Sequence, residues 1–185
     1  MKIQSNSLIS DLTATVQKHI GYAEHLKGRP LQELNYKATP ESWSILECLG
    51  HLNLYGNFYL PEIEQRIRVS KTKAETDFKT GILGNYFANS MLPKAKLNKM
   101  KTFKNMNPNN ERLNQTILDL FIAQQNRMLT LLHQSKSISL NKTKTSISIT
   151  SLLKLKLGDT FRFVIYHNER HIQQAKRAEI TALST

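Results

Sequence analysis

Four long stretches of this chain repeat their apolar residues every three to four positions, and no series of segments alternates them every second one. That period puts one apolar stripe on each of four helices, and packing the stripes together is how they leave water. The first stretch runs from about Ser5 to Lys27, with Leu8, Leu12, Val16, Ile20 and Ala23 on one face. Gly28-Arg29-Pro30 ends it, because glycine accepts the left-handed cap and proline lacks the donor. The second opens at Ser44, where Ser44-Ile45-Leu46-Glu47 has the spacing of a capping box. It continues through Leu49, Leu52, Tyr55 and Tyr59 towards Arg68, with Pro61 expected to kink it or restart a turn. Asn107-Pro108, an N-cap residue followed by proline at the first helical position, opens the third. Its stripe is Leu113, Ile117, Leu120, Gln124, Met128 and Leu131, to about Gln134. The fourth runs from near Asp159 to about Ala178, with Phe163, His167, His171 and Gln174 along one face. Between the second and third lies a connection of roughly 35 residues, partly helical around Gly81–Ala88, of the kind that crosses over in some bundles. Residues 137–151 form a short strand or an irregular loop. The expected fold is all-α, a four-helix bundle with a long, partly helical crossover between helices 2 and 3.

Length and charge narrow the classes. At 185 residues the chain is expected to form one domain, 1–185. A hydrophobic share of 39% with 22% charged residues is that of a soluble globular protein. Lysine and arginine number 26 against 14 acids, a net charge of +12. Five lysines and no acid lie in 94–104, and five more in 136–156; without these ten the charge falls to +2. Such runs are usually solvated loops, although they could bind phosphate or an anionic surface. Zinc-finger spacing, an aromatic RNA-binding signature and a basic region continued by heptads are all missing, so nucleic acid is not the expected partner. A single cysteine, Cys48, points to a reducing compartment. MKIQSNSLIS lacks the apolar core of a secretory signal, and no window is long and apolar enough for a membrane span. The expected location is the cytoplasm.

The chemistry is concentrated in histidine. His167 and His171, in His167-Asn168-Glu169-Arg170-His171, stand one helical turn apart and can reach one ion. The residues beside them, Asn168 and Arg170, are not the glutamate of the zinc-protease arrangements, so no general base is built in. The pair shares its face with Phe163, Val164 and Gln174, an inward face where an unpartnered imidazole loses hydrogen bonds. A metal there needs a third ligand, and His51, between Leu49 and Leu52 on the second helix, is the candidate. The alternative is three neutral core histidines bonded to carbonyls or hydroxyls. His19, His25 and His133 have no partner at ligand spacing and are expected at the surface.

Trp43-Ser44-Ile45-Leu46-Glu47-Cys48-Leu49-Gly50-His51-Leu52, followed far downstream by His167-Asn168-Glu169-Arg170-His171-Ile172-Gln173-Gln174, resembles the DinB-like (YfiT-like) superfamily. Gly84-Asn85-Tyr86-Phe87-Ala88, Met91-Leu92-Pro93-Lys94 and Leu157-Gly158-Asp159 are similar to the same group, so that the resemblance covers nearly the whole chain. It implies a four-helix bundle of up-down-down-up style, often a homodimer, with three histidines on one divalent metal, zinc or nickel among others. The ligands carried over are His51, His167 and His171. Relatives include thiol S-transferases, a thiol-dependent isomerase and members without a known reaction, so the resemblance does not fix the activity.

Three imidazoles with an open fourth position would suit catalysis. Such a centre could activate water for hydrolysis or a low-molecular-weight thiol for transfer to a small-molecule substrate. Arg170, Arg162 or a lysine of 94–104 could bind the anionic groups of a thiol cofactor. Gln174 could instead hydrogen-bond a ligand histidine. Glu47 is explained by the capping box, with a base one turn before His51 as the alternative. Cys48 is expected in the core and Trp43 at the helix start, while Tyr55 and Phe58 line either a pocket or the core. A non-catalytic metal-binding or stress-response module is the competing function.

Overall fold

The computed structural model describes residues 1–93, 102–109, 113–148 and 150–183, so the lysines from 94 to 101 lie outside the described residues. In chain order the elements are β1 (Lys2–Gln4), α1 (Ser5–Leu26), α2 (Leu31–Leu34), α3 (Ile45–Val69), β2 (Asp77–Lys79) and α4 (Ile82–Met91). They continue with α5 (Thr116–Gln134), β3 (Lys144–Ile147), β4 (Thr150–Lys156) and α6 (Leu157–Leu183). Single 3-10 turns occupy Lys104–Met106 and Ser135–Ser137. The fold is mostly all-α. Helix α1 packs chiefly on α5 and α6, and α3 on the same two, so the four long helices follow one another around the bundle as α1, α5, α3 and α6.

Local sequence explains most boundaries. The Ser44 hydroxyl accepts from the Glu47 N–H at 3.1 Å, and the Glu47 carboxylate accepts from the Ser44 N–H at 2.8 Å. Two donors that a helix start leaves open are thereby satisfied. Pro61 does not interrupt α3, which runs unbroken to Val69. It stands on the exposed side, and the carbonyl it releases belongs to the exposed Asn57, where water serves it.

Two expectations about the third long helix are corrected. Asn107-Pro108 does not start α5: the Asn107 side chain accepts from the Asn109 N–H at 3.2 Å in a local turn, and the helix begins at Thr116. Its buried stripe is rotated to Leu118, Phe121, Ile122, Gln125 and Leu132 with Gln124, Met128 and Leu131, leaving Leu120 42% exposed. Residues 137–151 fall partly in an antiparallel hairpin, with Lys144 opposite Lys156 and Ser146 opposite Lys154. A second two-stranded pair joins β1 to β2, with Ile3 opposite Phe78.

The core falls into two apolar clusters. One gathers Leu8, Val16, Tyr59, Met128, Phe161 and their neighbours; the other gathers Ala23, Leu46, Leu49, Phe121 and Ile172 with theirs. Each long helix places buried polar residues between its contributions to the two. These are His19 on α1, His51 and Asn53 on α3, Gln124 and Gln125 on α5, and His167 and Asn168 on α6. The layer is cross-bonded. Asn168 donates to Gln125 at 3.1 Å, Asn53 to the Ile117 carbonyl at 3.0 Å, and Gln124 to the Asn53 carbonyl at 3.1 Å. Gly56 makes room for Gln124, whose amide oxygen would stand 2.0 Å from a Cβ there.

Helix α4 closes one side. The Asp159 carboxylate accepts from the Gly81 N–H at 2.8 Å and from Arg162 at 3.2 Å. Arg162 in turn donates to Asn85 at 3.2 Å and to Asn89 at 3.1 Å. A Cβ on Gly84 would come within 2.4 Å of the Asp159 carboxyl carbon, so only glycine permits this approach. Gly84→Ala is therefore expected to cost about 2 kcal/mol, as overpacking does in other cores. The check is urea unfolding followed by circular dichroism, and an unchanged midpoint would contradict the tight seat of α4.

Candidate metal centre

His51 stands on α3 two turns after the N-cap Ser44, while His167 and His171 stand one turn apart on α6. One ligand atom from each lies within 4.8 Å of the other two, and no other such trio occurs among the described residues. The Nε2 atoms of His51 and His167 are 3.2 Å apart. Two nitrogens on a tetrahedral zinc at its usual bond length are separated by about 3.3 Å, so this pair fits such an ion. The other ring nitrogens orient the set. His51 Nδ1 donates to the Met106 carbonyl at 2.6 Å, and His171 Nδ1 donates to the Gln174 amide oxygen at 3.0 Å. Each bond leaves the Nε2 lone pair free to point at the shared space. His167 Nδ1 is buried without a hydrogen-bond partner. The donor set fits a divalent metal held by three neutral imidazoles.

Burial keeps the rings neutral. It lowers His51 to about 4, against a smaller opposing effect of the Met106 carbonyl. It lowers His171 to about 3, with His51 adding to the shift. His167 falls well below its ordinary value, again by burial first and then by His171 and His51. All three are therefore donors to metal at pH 7.

The rings face a cleft of about 1230 Å³ whose wall includes His51, His167 and His171. Aromatic side chains frame them. Trp43 lies 4.9 Å from His51 between centroids and stacks on His171 at 5.6 Å. Tyr55 sits 4.9 Å from His51 and 4.4 Å from His167, and Phe163 stacks on His167 at 6.1 Å. Trp43 does more than pack at the helix start, and its place one residue before the N-cap was the available signal. Phe58 faces the core.

The remaining sequence candidates divide. Arg170 and Gln174 line the cleft. Arg162 instead holds α4 in place through Asp159, Asn85 and Asn89, and is not available to a ligand as expected. Glu47 is buried; one carboxylate oxygen serves the cap and the other pairs with Lys37 at 3.2 Å. Cys48 is in the core, and burial pushes its thiol well above the ordinary range. His25 and His133 are exposed, but His19 is not at the surface as expected: it is 1% exposed and bonds Glu169 at 2.8 Å. Its spacing after Val16 and before Ala23 puts it on the inner face, beside Ile20, which packs against both clusters as expected. Lys94 to Lys101, expected as possible anion partners, lie outside the described residues.

The lowered histidines set a pH dependence. In the unfolded chain an imidazole takes a proton near pH 6.5, whereas the folded rings resist it. Above that pH both states are neutral and the rings contribute nothing to the dependence; as pH falls from about 6.5 to 4, the unfolded state gains protons first and stability is lost. Metal-free protein is expected to show a urea midpoint that declines through this window, and less steeply in His51→Gln and His171→Gln. A slope identical in all three proteins would contradict the buried neutral rings.

The DinB superfamily matches the chain over residues 20–175, a span that holds all three histidines and the α4 wall. No curated protein and no solved structure matches it. With the match covering most of the chain, this protein belongs to the DinB superfamily.

Proposed function

We propose that this protein is a metal-dependent enzyme that activates a low-molecular-weight thiol for transfer to an electrophilic small molecule. The observation that carries the reading is three imidazoles on the wall of a cleft, each bringing a ring nitrogen within 4.8 Å of the other two. Three protein donors leave a position for an outside ligand, whereas structural sites close the fourth with the chain. One divalent ion, zinc or nickel, held by His51, His167 and His171, would supply the Lewis acidity that lowers the pKa of a thiol or a water.

The chain's own residues prepare that position. Met106 and Gln174 hold His51 and His171 in the tautomer that presents Nε2. Trp43, Tyr55 and Phe163 surround the rings and exclude water from their faces. Burial raises the Tyr55 phenol, which stays neutral and adds no charge beside them. Thiol is favoured over water because a metal-bound thiol is deprotonated outright, whereas a metal-bound water is only partly ionised at neutral pH and gains from a base beside it. Among the described residues Glu47 is engaged by Ser44 and Lys37 and Glu169 by His19 and Gln173, while Glu41, the one acid of the cleft wall, stands exposed at its rim. A thiolate attacks without such a base. The free, buried Cys48 fits the reducing cytoplasm, and the family resemblance supports a homodimer. No helix among the described residues is long and apolar enough to cross a membrane.

Untagged protein purified without chelator is expected to carry about one metal per chain by elemental analysis, as three-donor centres do. His51→Ala, His167→Ala and His171→Ala should each lose it while keeping most of their helicity. Retention of metal by all three variants would overturn the centre. The loaded protein should consume a thiol in the presence of an alkylating electrophile, and His51→Ala should not. Ester hydrolysis without thiol consumption would favour the hydrolase, and no turnover with metal bound would leave a binding module.

A further inference from the structure

Helix α6 measures the cleft. Phe163, His167, His171, Gln174, Arg177 and Thr181 stand in turn along its wall. At 1.5 Å per residue, the run from Phe163 to Arg177 is about 21 Å long, with the histidines in its middle. Its chemistry changes from end to end. At the first end, Phe87 of α4 meets Phe163 edge-on at 6.4 Å, and Tyr86 meets Phe87 at 5.7 Å, with its own ring 68% exposed. Beyond His171 the wall turns polar at Gln174 and cationic at Arg177, with Arg170 on the same wall.

Arg177 is exposed and forms no ion pair among the described residues. The positions one turn away, Gln173, Gln174, Ile180 and Thr181, bring no carboxylate to it. Arg29, Arg66, Arg127 and Arg162 each have an acid in contact, whereas Arg68, outside the cleft wall, is exposed without an ion pair among the described residues, as Arg177 is. Arg177 follows Arg170 by seven residues, about two turns, so the two stand on one face of α6. Glu41, on the exposed rim, is the one acid of the cleft wall among the described residues. An exposed guanidinium on the cleft wall suits the planar oxygens of an anion.

We propose that the cleft takes an elongated substrate with unlike ends, an apolar end against Phe163 and Phe87 and an anionic end at Arg177. The reacting atoms then stand at the histidines between them. Arg177 lies six residues past His171, about 9 Å along the helix, so the anion sits well away from the reacting centre. This placement rests on the reading that chemistry occurs at the three histidines, but recognition of the anion does not depend on turnover.

The test uses the full chain, both metal-loaded and metal-free, with 6-phenylhexanoate, 6-phenylhexanamide and 6-phenylhexyl phosphate as probes in titration calorimetry. Metal-free protein removes direct ligation of the ion as a source of anion preference. The carboxylate is expected to bind about tenfold tighter than the amide, with a preference that fades in high salt. Arg177→Gln should bring the two close to equality, and Arg177→Lys should restore part of the difference. The exposed position leaves the thermal midpoint unchanged, so a folding defect does not mimic the result. A tighter phosphate than carboxylate identifies a phosphate as the natural end, and the reverse identifies a carboxylate. Equal affinity of carboxylate and amide, an unchanged ratio in Arg177→Gln, or no binding of any probe overturns the proposal. The ratio is read without metal, so failed thiol transfer leaves this result standing, and the converse also holds.

Discussion

A layer of buried polar side chains crosses the bundle, and the arrangement of everything else follows from it. His19, His51, Asn53, Gln124, Gln125, His167 and Asn168 lie between two apolar clusters at the same level of the four long helices. Burying such groups is costly unless they bond one another. Asn168 with Gln125, Asn53 with the Ile117 carbonyl and His19 with Glu169 supply those bonds. Sliding one helix by a turn would set these groups against leucine and phenylalanine and leave them unsatisfied. Helix register is thereby fixed at the level where the three imidazoles meet. The centre is part of the device that aligns the bundle, rather than an addition to a finished core.

The blocks that resemble the DinB superfamily make sense as contact partners. Gly84 and Asn85 of one block touch Asp159 of another and Arg162 just beyond it, while Gly158 admits the Phe78 ring, which would stand 2.6 Å from a Cβ there. The block from Trp43 to Leu52 carries both the cap that starts α3 and the imidazole that α3 delivers. Trp43 then packs on His171 of the last block, across the bundle. Short segments far apart in sequence thus meet around one space, and each is constrained by the shape of another.

Much of this was legible because it is local. The capping box of Ser44 and Glu47 and the one-turn spacing of His167 and His171 depend on residues within a few positions. The pairing of Gly84 with Asp159 was not legible, nor was the pairing of Lys2–Gln4 with Asp77–Lys79. Three-residue strands carry too little alternation to register, and their partners lie some 75 residues away by the distance between Ile3 and Phe78. Asn107-Pro108 misled because an asparagine that bonds two residues onward serves a turn as well as a helix start. His19 misled because it has no histidine at ligand spacing, whereas its partner is Glu169, 150 residues away on another helix.

The position of Trp43 has a practical consequence. It is the only tryptophan in the chain, and its indole stacks on one of the three imidazoles and lies beside a second. Indole emission responds to the polarity and charge of its immediate surroundings, and here those surroundings are the cleft itself. The molecule therefore carries its own fluorescent reporter, placed beside the three imidazoles that could hold an ion and free of background from other tryptophans.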